Sequence, residues 1–157
     1  MLLQILAAVV GVFAFAVLFH APRRSYLFCA LVGGFAWAMY LLFDRLGLSL
    51  FLASALAVFM LTVVSRTLSV AMQLPATVFI VTGIFPIVPG AGIYYTAYGL
   101  MTGDMMMFRE SGTNTVALAG AIAIGIVVGM SVPSSIPGTL GRALGRILPR
   151  WMLHRSD

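Results

Sequence analysis

Phe85-Pro86-Ile87-Val88-Pro89-Gly90-Ala91-Gly92 interrupts an apolar run that extends from Ala76 to Met101. Uninterrupted, the run would be long enough to cross a bilayer, which takes about 20 apolar residues. Each proline removes a backbone donor and collides with the carbonyl four residues earlier, here Thr82 and Phe85. Gly90 and Gly92 add backbone freedom that a helix disfavours. Unpaired backbone groups are costly in hydrocarbon, so a broken helix survives only against protein or beside water. Discontinuous helices near the bilayer midplane are where many transporters hold their substrate.

The surrounding chain has the composition of an integral membrane protein. Of its 157 residues, 62% are hydrophobic and 8% charged, with mean hydropathy +1.10. A soluble domain carries about 25% charged residues. The net charge of +5 comes from nine arginines with no lysine. These sit at the ends of apolar runs rather than in a groove with interleaved aromatics, so nucleic acid is not an expected partner. Cys29 lies alone in an apolar run and cannot form an intrachain disulfide.

The pattern predicts an all-α fold of five transmembrane helices: Leu2 to Phe19, Tyr26 to Phe43, Leu48 to Val64, the broken Ala76 to Met101, and Thr113 to Val132. Their connections are His20–Ser25, Asp44–Gly47, Ser65–Pro75 and Thr102–Gly112. Residues 1–137 form a single transmembrane domain in this reading, and 138–157 a basic cytoplasmic tail. Leu2 to Phe19 lacks the basic start and small-x-small cleavage site of a signal peptide. With Arg23 and Arg24 in the cytoplasm, Arg66 and the tail arginines also fall inside, while Asp44, Asp104 and Glu110 fall outside with Arg45 and Arg109. That bias predicts an external N-terminus and a cytoplasmic C-terminus. A re-entrant fourth segment would reverse the tail.

In the tail, Arg142, Arg146 and Arg150 recur at four-residue spacing among Leu140, Leu144, Ile147, Leu148 and Trp151. This predicts an amphipathic interfacial helix on anionic lipid, set off by Pro137-Gly138 and bent or ended by Pro149. A partly disordered basic anchor is the alternative. Small residues also recur at four-residue spacing in Ala30, Gly34 and Ala38, and in Ala117, Ala121, Gly125 and Gly129. Such ladders allow close helix approach, within one chain or between subunits.

There is no CxxC, HExxH, GxxxxGK[ST] or GxSxG, so no enzyme and no cofactor is expected. His20 and His154 lie at membrane edges, and Met101 with Met105-Met106-Met107 reads as pliable packing rather than a thioether metal site. No metal is expected. The spans carry no buried carboxylate of the kind that often couples transport to protons.

Polar, uncharged groups remain at the break. A half-helix starting near Pro89 would aim the N–H groups of Gly90, Ala91, Gly92 and Ile93 at a carboxylate or phosphate. The carbonyls of Thr82 and Phe85 would meet an ammonium or other cation. Thr82, Phe85, Pro86, Pro89, Gly90, Ala91, Gly92, Tyr94, Tyr95 and Thr96 are therefore the candidate substrate-binding residues, with a kinked packing helix as the alternative. Asp44, Asp104 and Glu110 with Arg45 and Arg109 are candidates for gating or coupling at the outer mouth; ordinary solvated loop charges are the alternative.

Ile84-Phe85-Pro86-Ile87-Val88-Pro89-Gly90 followed by Tyr95-Thr96-Ala97 resembles the threonine/serine exporter family, in particular its small, separately encoded YjjB-like type. Phe19-His20-Ala21-Pro22-Arg23-Arg24 running into Cys29-Ala30-Leu31, Ser135-Ile136-Pro137-Gly138, and the length agree with it. The resemblance implies a subunit of a secondary exporter, in a bacterial inner membrane, for small amino acids such as threonine and serine or related carboxylates. It also implies a larger YjjP-like partner. An accessory subunit that only stabilises a transporting partner is the alternative.

Overall fold

The computed structural model describes the backbone of residues 1–147 and the side chains of residues 1–145. The described residues are helical with no strand: α1 Leu2–Leu18, a 3-10 turn Arg23–Ser25, α2 Tyr26–Arg45, α3 Leu50–Met72, α4 Ala76–Gly83, a 3-10 turn Phe85–Ile87, α5 Gly90–Thr102, α6 Met105–Ser131 and α7 Ser135–Ile147. Local chemistry sets the ends. The Ser49 hydroxyl accepts from the Leu52 N–H at 3.4 Å to start α3. Gln73 at φ 53°, followed by Pro75, stops it. Gly103 at φ 76° closes α5, and the Asp104 carboxylate caps α6 by accepting from Met106 and Met107 N–H at 3.1 and 3.0 Å. Val132 is extended, as the residue before a proline tends to be.

α3 is the central helix. It packs against α2, α4, α6 and α7. Ala57, Val58, Leu61, Leu68 and Met72 of α3 join Val12, Ala16, Cys29, Val32, Phe79 and Ile87 in the core. Along the α3–α6 seam, Gly120 lies by Phe51, Gly125 by Ala55 and Val58, and Gly129 by Phe59 and Thr62. Gly141 then lies by Thr67 and Val70, and Gly145 by Ala71. The numbers rise together, so α6 and then α7 run parallel to α3. In contrast, Gly92 faces Thr115, Gly112 faces Thr96, and Gly99 faces Phe108, making α5 and α6 antiparallel. The chain therefore travels back along the bundle through α4 and α5 before α6 begins.

The second small-residue ladder is intrachain packing: a methyl group on Gly125 would come within 2.7 Å of the Ala55 carbonyl, and Ala121 is fully buried. Gly33 does the same for α1 and α2, where an added methyl would meet Val12 at 2.5 Å.

Three helices are long and apolar enough to cross a membrane: α2 with the turn before it, α3 and α6. The α4–α5 pair makes a fourth if taken as one span, bent by 53°. α1 has only 17 residues, so the count is three to four where five were expected.

Three other boundaries also differ. α3 continues to Met72, so Arg66 lies in a helix rather than in a Ser65–Pro75 loop. Leu61, Leu68 and Met72 keep the helical apolar period going past the polar residues, and tertiary packing follows that period. Most of Thr102–Gly112 is the first two turns of α6, and only Gly103 and Asp104 link it to α5. At 27 residues α6 is roughly 40 Å long, longer than the hydrocarbon core, so its charged start can project beyond it. Finally, α7 begins at Ser135, which places Pro137 and Gly138 inside its first turn, where a proline is tolerated. It packs along the end of α3. Arg142 is exposed. The side chains of Arg146 and Ile147, and all of Leu148, Pro149, Arg150, Trp151, His154 and Arg155, lie outside the described residues.

Candidate functional site

α4 ends at Gly83 because Pro86 has no N–H for the Thr82 carbonyl. The next turn tightens: Ile87 N–H bonds to Ile84 O at 2.9 Å and Val88 N–H to Phe85 O at 3.3 Å. Val88 is then extended, ahead of Pro89. Gly83 packs against Leu61, the middle residue of α3 (Leu50–Met72). The interruption is thus near the centre of the bundle.

The candidate binding residues divide into three groups. Thr82 is buried, and its hydroxyl donates to Val78 O at 2.8 Å and Phe79 O at 3.4 Å, so it is bound to its own helix. Phe85 lies against Phe15 of α1 with the rings tilted by 30° and their centres 3.4 Å apart, and approaches Phe19 at 6.1 Å. These two residues, with half-buried Pro86, wall the α4 side.

The second group is the α5 start. Gly90 N–H bonds to Val88 O at 2.8 Å and Ile93 N–H to Pro89 O at 3.0 Å. Of the four expected donors, those of Ala91 and Gly92 therefore remain uncommitted among the described residues. Gly90 is exposed, and a methyl there would meet nothing within 4 Å. The Thr96 hydroxyl donates to Gly92 O at 2.7 Å.

The third group is aromatic. Tyr94, Tyr95 and Tyr98 are exposed on α5, with Tyr94 edge-on to Tyr95 at 5.3 Å and stacked with Tyr98 at 6.1 Å. Tyr95 also lines an open groove of about 400 Å³ with Asp104, Met106, Met107, Glu110 and Ser111. The fold thus brings one candidate binding residue beside two of the candidate coupling carboxylates.

The other charged candidates do not line that groove. Asp44 and Arg45 end α2 and are exposed, as is Arg109 on α6. No ion pair joins the five charged candidates among the described residues. No group of three or more His, Cys, Asp or Glu there could hold a metal ion.

Arg66 was the residue that sequence reasoning assigned only to topology. It is half-buried, and its Nη1 donates to Gly129 O at 2.9 Å and Val132 O at 2.6 Å. It therefore caps the C-terminal end of α6 from the central helix. The apolar period of α3 continuing to Met72 signalled that Arg66 lies within a helix, but not what it reaches.

A family model described as "Threonine/Serine exporter, ThrE" matches residues 4–132. The chain belongs to that threonine/serine exporter family. It is a multi-pass membrane protein and a membrane transport component of the threonine/serine exporter type. The family is one of transporters rather than enzymes. The match covers α1 to α6 and the whole α4–α5 interruption, and ends at the carbonyl that Arg66 holds. No solved structure matches the chain.

Proposed function

We propose that this threonine/serine exporter family member is one subunit of a secondary exporter, and that it moves small amino acids or related carboxylates across a bacterial inner membrane. The substrate's carboxylate meets the free N–H groups of Ala91 and Gly92, and its ammonium meets the Thr82 carbonyl. Pro86, Pro89 and Gly90 hold these groups open, and Phe85, Tyr94, Tyr95 and Thr96 shape the surroundings. The observation that carries this reading is the α4–α5 interruption, bent by 53° beside the middle of α3. A helix broken there exposes polar backbone that only protein, water or a ligand can satisfy.

The parallel course of α3 and α6 favours a fourth segment that crosses fully. With α1 also crossing, the chain makes five crossings, its N-terminus outside and its C-terminus in the cytoplasm. The exposed tyrosine face of α5, whose principal neighbour is α6, is the surface on which a larger YjjP-like subunit would close the path. Anionic lipid would meet Arg142 and the basic tail.

The double substitution Pro86→Ala, Pro89→Ala tests the site. It should let the helix run on, leave membrane insertion normal, and lower efflux of labelled threonine from vesicles at least tenfold. Wild-type efflux would reduce the interruption to a packing kink. Efflux equal with and without a functional α5 surface, but absent without the partner, would make the chain an accessory subunit instead.

A further inference from the structure

Arg66 is the sole charged residue of α3. Both of its hydrogen bonds run from one nitrogen, Nη1, to Gly129 O and Val132 O. A guanidinium has five N–H donors on three nitrogens, so Nε and Nη2 keep theirs uncommitted among the described residues. Among the described residues, no carboxylate pairs with the guanidinium. Glu110 precedes Gly129 by nineteen residues on α6, roughly 28 Å along the axis, and Asp104 lies farther still. The carbonyl end of α6 offsets only part of a positive charge. A half-buried cation in a spanning helix is costly without a counter-charge, and such residues mark ion or substrate paths. Two and three residues beyond Val132, Ser134 and Ser135 are exposed, and neither hydroxyl donates to another group in the described residues.

We propose that the free edge of the Arg66 guanidinium, with the Ser134 and Ser135 hydroxyls, binds one oxyanion at the junction of α6 and α7. The ligand is the carboxylate of a small molecule or the phosphate of an anionic lipid headgroup. A planar guanidinium edge presents two parallel donors to either. Leu61, which meets the α4–α5 interruption, lies about 140° around α3 from Arg66. The oxyanion site is therefore separate and stands whether or not the interruption binds substrate.

The full chain in phosphatidylcholine nanodiscs provides the test. L-threonine, L-threonine amide and inorganic phosphate are titrated by calorimetry, and melting is compared in discs that also contain phosphatidylglycerol. A small-molecule ligand predicts that threonine or phosphate binds and the amide does not. A lipid ligand predicts no response to soluble anions but higher melting with phosphatidylglycerol. Arg66→Met should abolish phosphate binding and lower the phosphatidylglycerol shift, while threonine binding that survives Arg66→Met but is lost in Pro86→Ala, Pro89→Ala belongs to the α4–α5 interruption instead. Arg66→Lys keeps the charge and a carbonyl bond but loses the planar edge. It should melt near wild type and bind about tenfold more weakly. Unchanged anion or lipid response in Arg66→Lys and Arg66→Met, or no response in wild type, would reduce Arg66 to a helix cap.

Discussion

Two prolines-and-turn interruptions divide this bundle, and they are solved with different chemistry. Between α4 and α5, the backbone closes most of its own gaps: a 3-10 turn uses the Phe85 carbonyl, Val88 O takes the Gly90 N–H, and the Thr82 hydroxyl turns back on its helix. Between α6 and α7, the closing group comes from 63 residues away, as Arg66 reaches Gly129 O across the helix seam. The first interruption is locally self-sufficient and leaves a few neutral backbone groups free. The second adds a tertiary contact to its own turn bonds, Ile136 N–H to Pro133 O and Gly138 N–H to Ser134 O, and places there a charge with no carboxylate partner among the described residues. Neutral polar backbone suits a zwitterion that must be released; a lone guanidinium suits an anion that is held.

The largest effect tests whether the two interruptions are separated from the chain's ends as the helix directions require. Leu46 and Met105 are exposed at one end of the bundle, and Thr77 and Ser134 at the other. In a Cys29→Ala background, cysteines at Leu46 and Met105 should react in intact cells with a membrane-impermeant thiol reagent. Those at Thr77 and Ser134 should react only after permeabilisation. Labelling of Ser134→Cys and Leu46→Cys from the same side would break the parallel α3–α6 arrangement and the five-crossing reading with it.

The two interruptions also differed in how legible they were. Pro86, Pro89 and Gly90 declare themselves, because prolines in an apolar run have few meanings. Family membership followed from the same string. The role of Arg66 was not legible, since an arginine after sixteen apolar and small residues looks like the end of a span. Only the α6 glycines, which bring Gly129 against Thr62, put its acceptors within reach. Likewise, Asp104 as a cap and Met105–Phe108 as helix required knowing that Gly103 adopts a left-handed turn. Span existence is written in composition; span length depends on neighbours, which composition does not carry.

A middle-sized effect sharpens the contrast in stability. Arg66→Met removes both carbonyl bonds and should lower stability by about 2–3 kcal/mol, as expected when a charged donor leaves partly buried acceptors unpaired. Thr82→Val keeps the shape, and its acceptors Val78 O and Phe79 O belong to the helix ladder. It should cost about 1 kcal/mol or less. Thermal melting of the purified chain in detergent checks both. Equal losses would mean that the first interruption relies on its side chain as much as the second does.

The smallest effect concerns the groove beside Tyr95. Asp104 and Glu110 line it together, yet Asp104 is committed to the Met106 and Met107 N–H groups and Glu110 makes no ion pair among the described residues. If the groove couples export to protons, Glu110 is the freer carboxylate to exchange one. Glu110→Gln should then alter the dependence of threonine efflux on external pH, by about twofold to threefold across the acidic range. Asp104→Asn keeps an Oδ1 acceptor for the same two N–H groups, so it should leave stability and the pH profile nearly unchanged, whereas Asp104→Ala should cost about 1 kcal/mol through the lost cap. Asp44→Asn, at the end of α2, serves as the control. If all three amide variants keep the wild-type profile, these carboxylates are solvated surface charges and the groove plays no part in coupling.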